Sequence, residues 1–104
     1  REQIYRALSM SRRASVSQRL VRRKDGRRTA AIEILINTPY IAELIRNRRI
    51  DDIRDAMNNS SDKGMLTFDT SLFRLYNDGL IEMEEALANA DSRTNLEAKI
   101  NFGI

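Results

Sequence analysis

The sequence predicts a mostly α-helical chain with a single β-hairpin. Three observations lead there. Apolar residues recur at helical spacing from Pro39 onward, Lys24-Asp25-Gly26 marks a turn between two strand-like runs, and the lone proline stands at a helix start, leaving the remaining pattern uninterrupted.

Residues 2–9 read as a short helix with Ile4, Ala7 and Leu8 on one face, and residues 10–18 as its weaker continuation through Ala14 and Val16. From Gln18 the character changes. Arg19-Leu20-Val21-Arg22 is strand-like, and Asp25-Gly26 suits the positive backbone angles of a type I′ turn. Thr29 to Ile36 is the returning strand. Its centre (Ala30, Ala31, Ile32, Ile34, Leu35, Ile36) is nearly all apolar, which predicts burial on both faces. A two-stranded hairpin is marginal in water, so this strand asks for more sheet or a helical layer.

Thr38 is the expected N-cap of the next helix, with Pro39 at its first position and Ile41, Leu44 and Ile45 as its stripe. Arg46, Arg48 and Arg49 fall near its C-terminal end, where the helix dipole favours cations. Ile50, Ile53 and Met57 mark a second helix with Asp51 and Asp52 in its first turn, and the polar run from Asn58 to Gly64 ends it. Thr67 caps a third helix carrying Phe68, Leu72, Leu75 and Tyr76, with Phe73 flanking. Gly79-Leu80 closes it in a Schellman arrangement. A fourth helix, about Glu82 to Ala90, buries Met83, Ala86 and Leu87, and Asp91 or Ser92 caps a last one through Leu96 and Ile100.

Several functions are excluded by composition. With no Cys and no His among 104 residues there is no disulfide, no ordinary zinc site and no Cys- or His-based catalysis. No stretch approaches the length of a membrane span, and the start has no signal-peptide core. Lack of Cys fits a cytoplasmic protein. Beginning at Arg1 rather than Met, the chain reads as a piece of a longer protein or a processed product. The net charge of +3 is polarised: residues 1–28 carry ten Lys/Arg against two Asp/Glu, and residues 29–104 eight against thirteen. The basic end is therefore expected to meet something acidic, whether phosphate, another protein or the acidic end of a sister subunit.

No Gly-x-x-x-x-Gly-Lys-Ser/Thr occurs, and the four glycines are scattered, so this segment is not expected to cradle ATP phosphates or to act as an enzyme by itself. No catalytic, cofactor-binding or metal residue is assigned. Glu82, Glu84 and Glu85 read as a solvated, dipole-favoured helix start. Arg22, Arg23, Lys24, Arg27 and Arg28 flank the hairpin turn. They suit either a charged tip that discourages edge pairing or a contact with an anionic partner. Nucleic acid is disfavoured as that partner because no aromatic is interleaved. Residues 65–90 could pass for a helix-turn-helix, but its second helix is acidic and would repel phosphates.

The junction Glu33-Ile34-Leu35-Ile36-Asn37-Thr38-Pro39, followed by Tyr40-Ile41-Ala42-Glu43-Leu44-Ile45-Arg46-Asn47, resembles the EILIxTP strand-to-helix junction and AIRNLIRE helix of the type IV pilus twitching-motility retraction ATPases, the PilT/PilU family of secretion-type hexameric ATPases. Ile41, Leu44, Ile45 and Arg46 agree with the helix motif, whereas Tyr40, Ala42, Glu43 and Asn47 depart from it, which is closer to the PilU branch. Gly64-Met65-Leu66-Thr67-Phe68-Asp69 is similar to a family GMQTFD pattern. Glu85-Ala86-Leu87, Asn89 to Ser92 and Asn95-Leu96 resemble the same branch. Leu8-Ser9 and Ser17 to Val21 look like the end of a RecA-like motor domain.

The resemblance implies that residues 1–38 are the tail of a RecA-like α/β domain (helix plus hairpin) and residues 39–104 a C-terminal helical domain. It implies a hexameric parent that binds ATP and Mg and drives pilus retraction. That parent would lie in the cytoplasm, peripheral to the inner membrane, against the platform of the pilus machine and a sister retraction ATPase. In that setting Tyr40, Ile41, Leu44, Ile45 and Arg46 form the retraction motif, and the segment transmits motion or contacts partners without binding ATP itself. The residues alone leave open a free-standing small basic binding or adaptor module for an anionic partner.

Overall fold

The computed structural model describes residues 3–7, 14–59 and 64–103. Three strands, β1 (Gln3–Ala7), β2 (Ala14–Arg22) and β3 (Arg28–Ile36), precede five helices: α1 (Pro39–Arg46), α2 (Ile50–Asn59), α3 (Phe68–Asn77), α4 (Met83–Ala88) and α5 (Arg93–Phe102). The strands form one antiparallel sheet in the order β1-β2-β3.

The helix expected over residues 2–9, with its continuation to 18, is corrected. Residues 3–7 are strand, paired from Gln3↔Arg19 to Ala7↔Ser15, and residues 14–18 are the first half of β2. Residues 8–13 lie outside the described residues. An isolated eight-residue helix is marginal in water, whereas a strand beside β2 satisfies its backbone groups along a whole ladder. The pairing partner is far along the chain, so local periodicity did not reveal it.

The hairpin itself is as expected: β2 and β3 pair from Ala14↔Ile36 to Arg22↔Arg28. Its turn is not type I′. Gly26 has φ 87, while Arg48 is the only described non-glycine residue at positive φ, so Asp25 keeps an ordinary φ. Gly26 N–H donates to the Arg23 carbonyl at 3.1 Å and Arg23 N–H to the Arg27 carbonyl at 2.7 Å. This is a three-residue loop with glycine in the left-handed position. The Asp25 carboxylate accepts from Arg27 N–H at 2.9 Å.

Alternation divides the sheet into two faces. Ser17, Val21 and Ala31 are buried toward the helices. Their even-numbered neighbours Val16, Leu20, Ala30, Ile32, Ile34 and Ile36 are half-buried on the other face. Burial of β3 on both faces is thus only partly realised. The outer edge of β3 is protected: Ile32 N–H donates to Ser71 Oγ at 2.9 Å, and Ile34 exchanges backbone bonds with Leu66 at 2.8 and 3.0 Å.

One core joins sheet and helices. Val21 and Ala31 pack with Phe68, Leu72, Ile81, Ala86, Leu87 and Leu96. Thr67 Oγ1 accepts from Thr70 N–H at 3.2 Å, and α3 ends in the expected Schellman arrangement, Leu80 N–H to Leu75 O at 3.0 Å and Gly79 N–H to Tyr76 O at 3.0 Å. Gly79, at φ 79, supplies the left-handed residue this closure requires. Ile41 and Leu44 of α1 and Met57 of α2 are buried outside that main core, where α1 packs against α2. Among the described residues no helix is long and apolar enough to cross a membrane.

Candidate functional site

The helix α1 starts as its sequence dictates. Thr38 Oγ1 accepts from Ile41 N–H at 3.2 Å, and Pro39 occupies the first turn, where no donor is needed. The five motif residues then separate into two groups. Ile41 and Leu44 are 1% and 2% exposed, so they are packing residues. Tyr40 and Ile45, at 57% and 47%, stand out in solvent, and Arg46 is exposed beside them. Periodicity placed Ile45 with Ile41 and Leu44, but it lies one helical step beyond the buried pair.

The end of α1 carries a feature that residue order does not reveal. Arg49 N–H donates to the Leu44 carbonyl at 3.0 Å and Arg48 N–H to the Ile45 carbonyl at 3.1 Å, a Schellman closure with Arg48 at φ 55. Glycine is the usual occupant of such a position. An L-residue with a side chain is disfavoured there by roughly 1–2 kcal/mol.

The hairpin cations are partly engaged within the chain. Arg23 pairs with Asp25 at 3.0 Å and Lys24 with Glu82 at 3.7 Å. Lys24 N–H also donates to the Leu80 carbonyl at 2.9 Å, and Arg22 N–H to Glu85 Oε2 at 2.8 Å. The hairpin tip is therefore docked on the α3–α4 connection. Among the described residues no ion pair involves the side chains of Arg22, Arg27 or Arg28. Glu82 and Glu84 are exposed, as expected for a solvated helix start. Glu85 is instead a structural acceptor for Arg22 N–H and Asn89 Nδ2.

Sequence reasoning missed a polar network that joins the sheet to the helices. Arg19 Nη2 meets Asp91 at 2.8 Å, Nη1 donates to the Asn89 carbonyl at 2.8 Å, and the guanidinium lies 3.9 Å from the Phe68 ring centroid. Asp69 of α3 accepts from Asp91 N–H at 2.8 Å and Ser92 N–H at 2.9 Å. Ser92 occupies the N-cap position of α5 without a side-chain cap bond, so Asp69 meets the donors at this helix start. Glu33 accepts from Phe68 N–H at 3.3 Å, and burial pushes its carboxyl above the usual range. A signal available beforehand was Arg19, a cation within the strand-like run Arg19-Leu20-Val21-Arg22.

A groove of about 730 Å³ lies between α2, α3 and α5, lined by Asp51, Asp55, Asp69 and Asp91 together with Arg54 and Lys99. Its four aspartates make it unsuited to phosphates. Arg54 crosses from α2 toward Asp91 at 3.8 Å. No group of Asp and Glu among the described residues is arranged to hold a metal ion.

No family model matches the chain. Characterised proteins do. The type IV pilus ATPase PilU of Pseudomonas aeruginosa is 43% identical over 102 residues, covering 97% of this chain and 27% of that protein. A twitching motility protein of Neisseria gonorrhoeae is 36% identical over 97 residues, 92% of this chain and 26% of that protein. The type IV pilus retraction ATPase PilT of P. aeruginosa is 39% identical over 83 residues, 80% of this chain and 24% of that protein. The chain thus spans about a quarter of the length of these relatives. Agreement runs across nearly the whole chain, with higher identity to PilU than to PilT, and the chain belongs to the PilT/PilU family.

Proposed function

We propose that the chain is the C-terminal region of a hexameric ATPase motor that powers type IV pilus retraction, and that it transmits motion or contacts partners while ATP is bound elsewhere in the parent. The observation that carries this reading is the division of α1. Ile41 and Leu44 anchor the helix, while Tyr40, Ile45 and Arg46 remain on the surface of a chain whose relatives are pilus ATPases. A helix anchored on one side and bare on the other is suited to relaying force to a second body.

In this reading residues 1–38 belong to the RecA-like motor domain and residues 39–104 to the C-terminal helical domain. The half-buried even-numbered face of the sheet fits membership in a larger layered α/β domain. The parent hydrolyses ATP with Mg, works at the cytoplasmic face of the inner membrane, and meets the pilus platform and a sister retraction ATPase. The alternative, an adaptor for an anionic partner, draws on Arg22, Arg27 and Arg28, whose side chains make no ion pair among the described residues. It loses Arg23 and Lys24, which are paired within the chain.

The test compares two variants of the full-length protein, one with Tyr40, Ile45 and Arg46 replaced by Ala and one with Ile41 and Leu44 replaced by Ala. ATP turnover, ring assembly and pilus retraction are measured for each. The surface variant is expected to keep turnover and assembly and lose retraction, and the core variant to lose all three. Retention of retraction by the surface variant would sink the partner-facing role. A parent that never hydrolyses ATP would sink the motor reading.

A further inference from the structure

We propose that the turn joining α1 to α2 is a docking surface for an acidic protein partner, contacted by Arg46 and Arg48 between two exposed isoleucines, Ile45 and Ile50. The proposal rests on the partner-facing reading of α1, carries it from Ile45 and Arg46 of the retraction motif to Arg48 and Ile50, and gives the partner its chemistry.

Three observations converge on this turn. Ile45 and Ile50 are 47% and 55% exposed, only five residues apart, and Tyr40 on the same helix is 57% exposed. Scattered exposed apolar residues need no explanation, but this turn concentrates them. The surrounding charges are unevenly satisfied. Arg49 is held by Asp52 at 2.6 Å and Asp51 is taken by Arg54 at 3.0 Å, which uses both acids of the first turn of α2. Among the described residues no carboxylate pairs with Arg46 or Arg48. The helix dipole favours cations here, but it does not require two arginines to remain bare.

The third observation is the backbone. Arg48 sits at φ 55, in the position of a Schellman closure that glycine fills without strain. Strained positions of this kind cluster where a side chain is needed for function. An arginine kept there places a guanidinium on the turn itself, and a guanidinium can grip a carboxylate through two parallel hydrogen bonds. A lipid surface fits less well. It recognises diffuse positive charge and a long amphipathic face, whereas α1 has eight residues and ends at this turn.

The test uses the full-length protein in piliated cells, with the photo-cross-linking residue benzoylphenylalanine in place of Ile50 and, as a control, in place of the exposed Asn77. The expected adduct at position 50 is with another protein, on an Asp/Glu-rich peptide. The charge reversal Arg46→Glu with Arg48→Glu should lower its yield at least about tenfold, and Lys substitutions in the mapped peptide should restore it. Arg48→Gly should raise the melting temperature by roughly 4 °C through relief of strain, yet lower the yield. That pairing is one a merely structural arginine would not give. An adduct with a second copy of this protein or with phospholipid, no adduct above the control, or a yield indifferent to charge reversal would overturn the proposal. ATP turnover of the unmodified protein is measured in parallel. Its absence would refute the motor reading and leave the cross-linking result standing.

Discussion

Arg19 and Asp91, 72 residues apart, meet at 2.8 Å with their side chains 14% and 19% exposed, and this pair fastens the middle of the sheet to the start of α5. One edge of the guanidinium donates to Asp91 and the Asn89 carbonyl, and the plane rests 3.9 Å from the Phe68 ring. An arginine emerging on the buried face of a strand would be severely destabilising without such partners. Arg19→Ala leaves the Asp91 carboxylate, among the described residues, with the longer contact to Arg54, and removes the group stacked on the Phe68 ring. It should destabilise the chain by about 3–5 kcal/mol, read as a lowered urea midpoint. Arg19→Lys should recover less than half of that loss, because an ammonium supplies no plane to stack and no fork for two acceptors. Near-complete recovery by Lys would show that charge alone matters.

Asp69 performs at a distance what a helix usually obtains from its own first residue. Its carboxylate accepts from the Asp91 and Ser92 N–H groups, while the Ser92 side chain makes no cap bond. Asp69→Ala should cost about 1–2 kcal/mol, and Asp69→Asn roughly half as much because one acceptor oxygen remains. Ser92→Ala should change stability by less than about 0.5 kcal/mol. Urea unfolding of the three variants checks the order. A large Ser92→Ala effect would show that the serine, not the aspartate, governs this helix start.

The contrast between these residues and the helix caps explains what could be read from the sequence. Thr38, Thr67 and Gly79 act on atoms three to five positions away, so their chemistry was legible in the local order of residues. The same holds for the apolar stripes of α3 and α4. β1 was misread because a strand is decided by its partner, here β2, and an Ile-x-x-Ala-Leu spacing fits a helix face equally well. Arg19, Asp69 and Ser71 escaped notice because each acts on a backbone or side-chain group more than twenty residues away. In the candidate site, spacing located α1 and its buried pair. It could not place Ile45 outside the stripe or reveal the left-handed backbone of Arg48.

Leu44 and Ile45, adjacent in sequence, should respond oppositely to truncation. Leu44 is 2% exposed and Ile45 47%. Leu44→Ala removes buried methyl groups and leaves a cavity between α1 and α2, so a loss of about 2–5 kcal/mol is expected. Ile45→Ala removes mostly solvated surface and should stay within about 0.5 kcal/mol of the unaltered chain. Thermal unfolding of the two variants distinguishes them. Equal losses would mean that Ile45 is covered in the folded chain and is no surface residue.

Glu33 ties stability to pH. Burial raises its carboxyl above the ordinary value, and Asp91 adds to the rise. The Phe68 N–H and the charges of Arg19 and Arg54 oppose it without cancelling it. The folded chain therefore holds this proton at a pH where the unfolded chain has already released it. Such a group favours the fold most below the ordinary carboxylate pKa, and that contribution disappears as pH rises through the raised folded value. Glu33→Gln keeps an oxygen to accept from Phe68 N–H and carries no charge to desolvate. The variant should be more stable than the unaltered chain at neutral pH, and the advantage should shrink toward zero near about pH 4, where Glu33 is itself protonated. Urea midpoints across that range decide the matter. A variant that is less stable at neutral pH would show that attraction to Arg19 and Arg54 outweighs the burial of the charge.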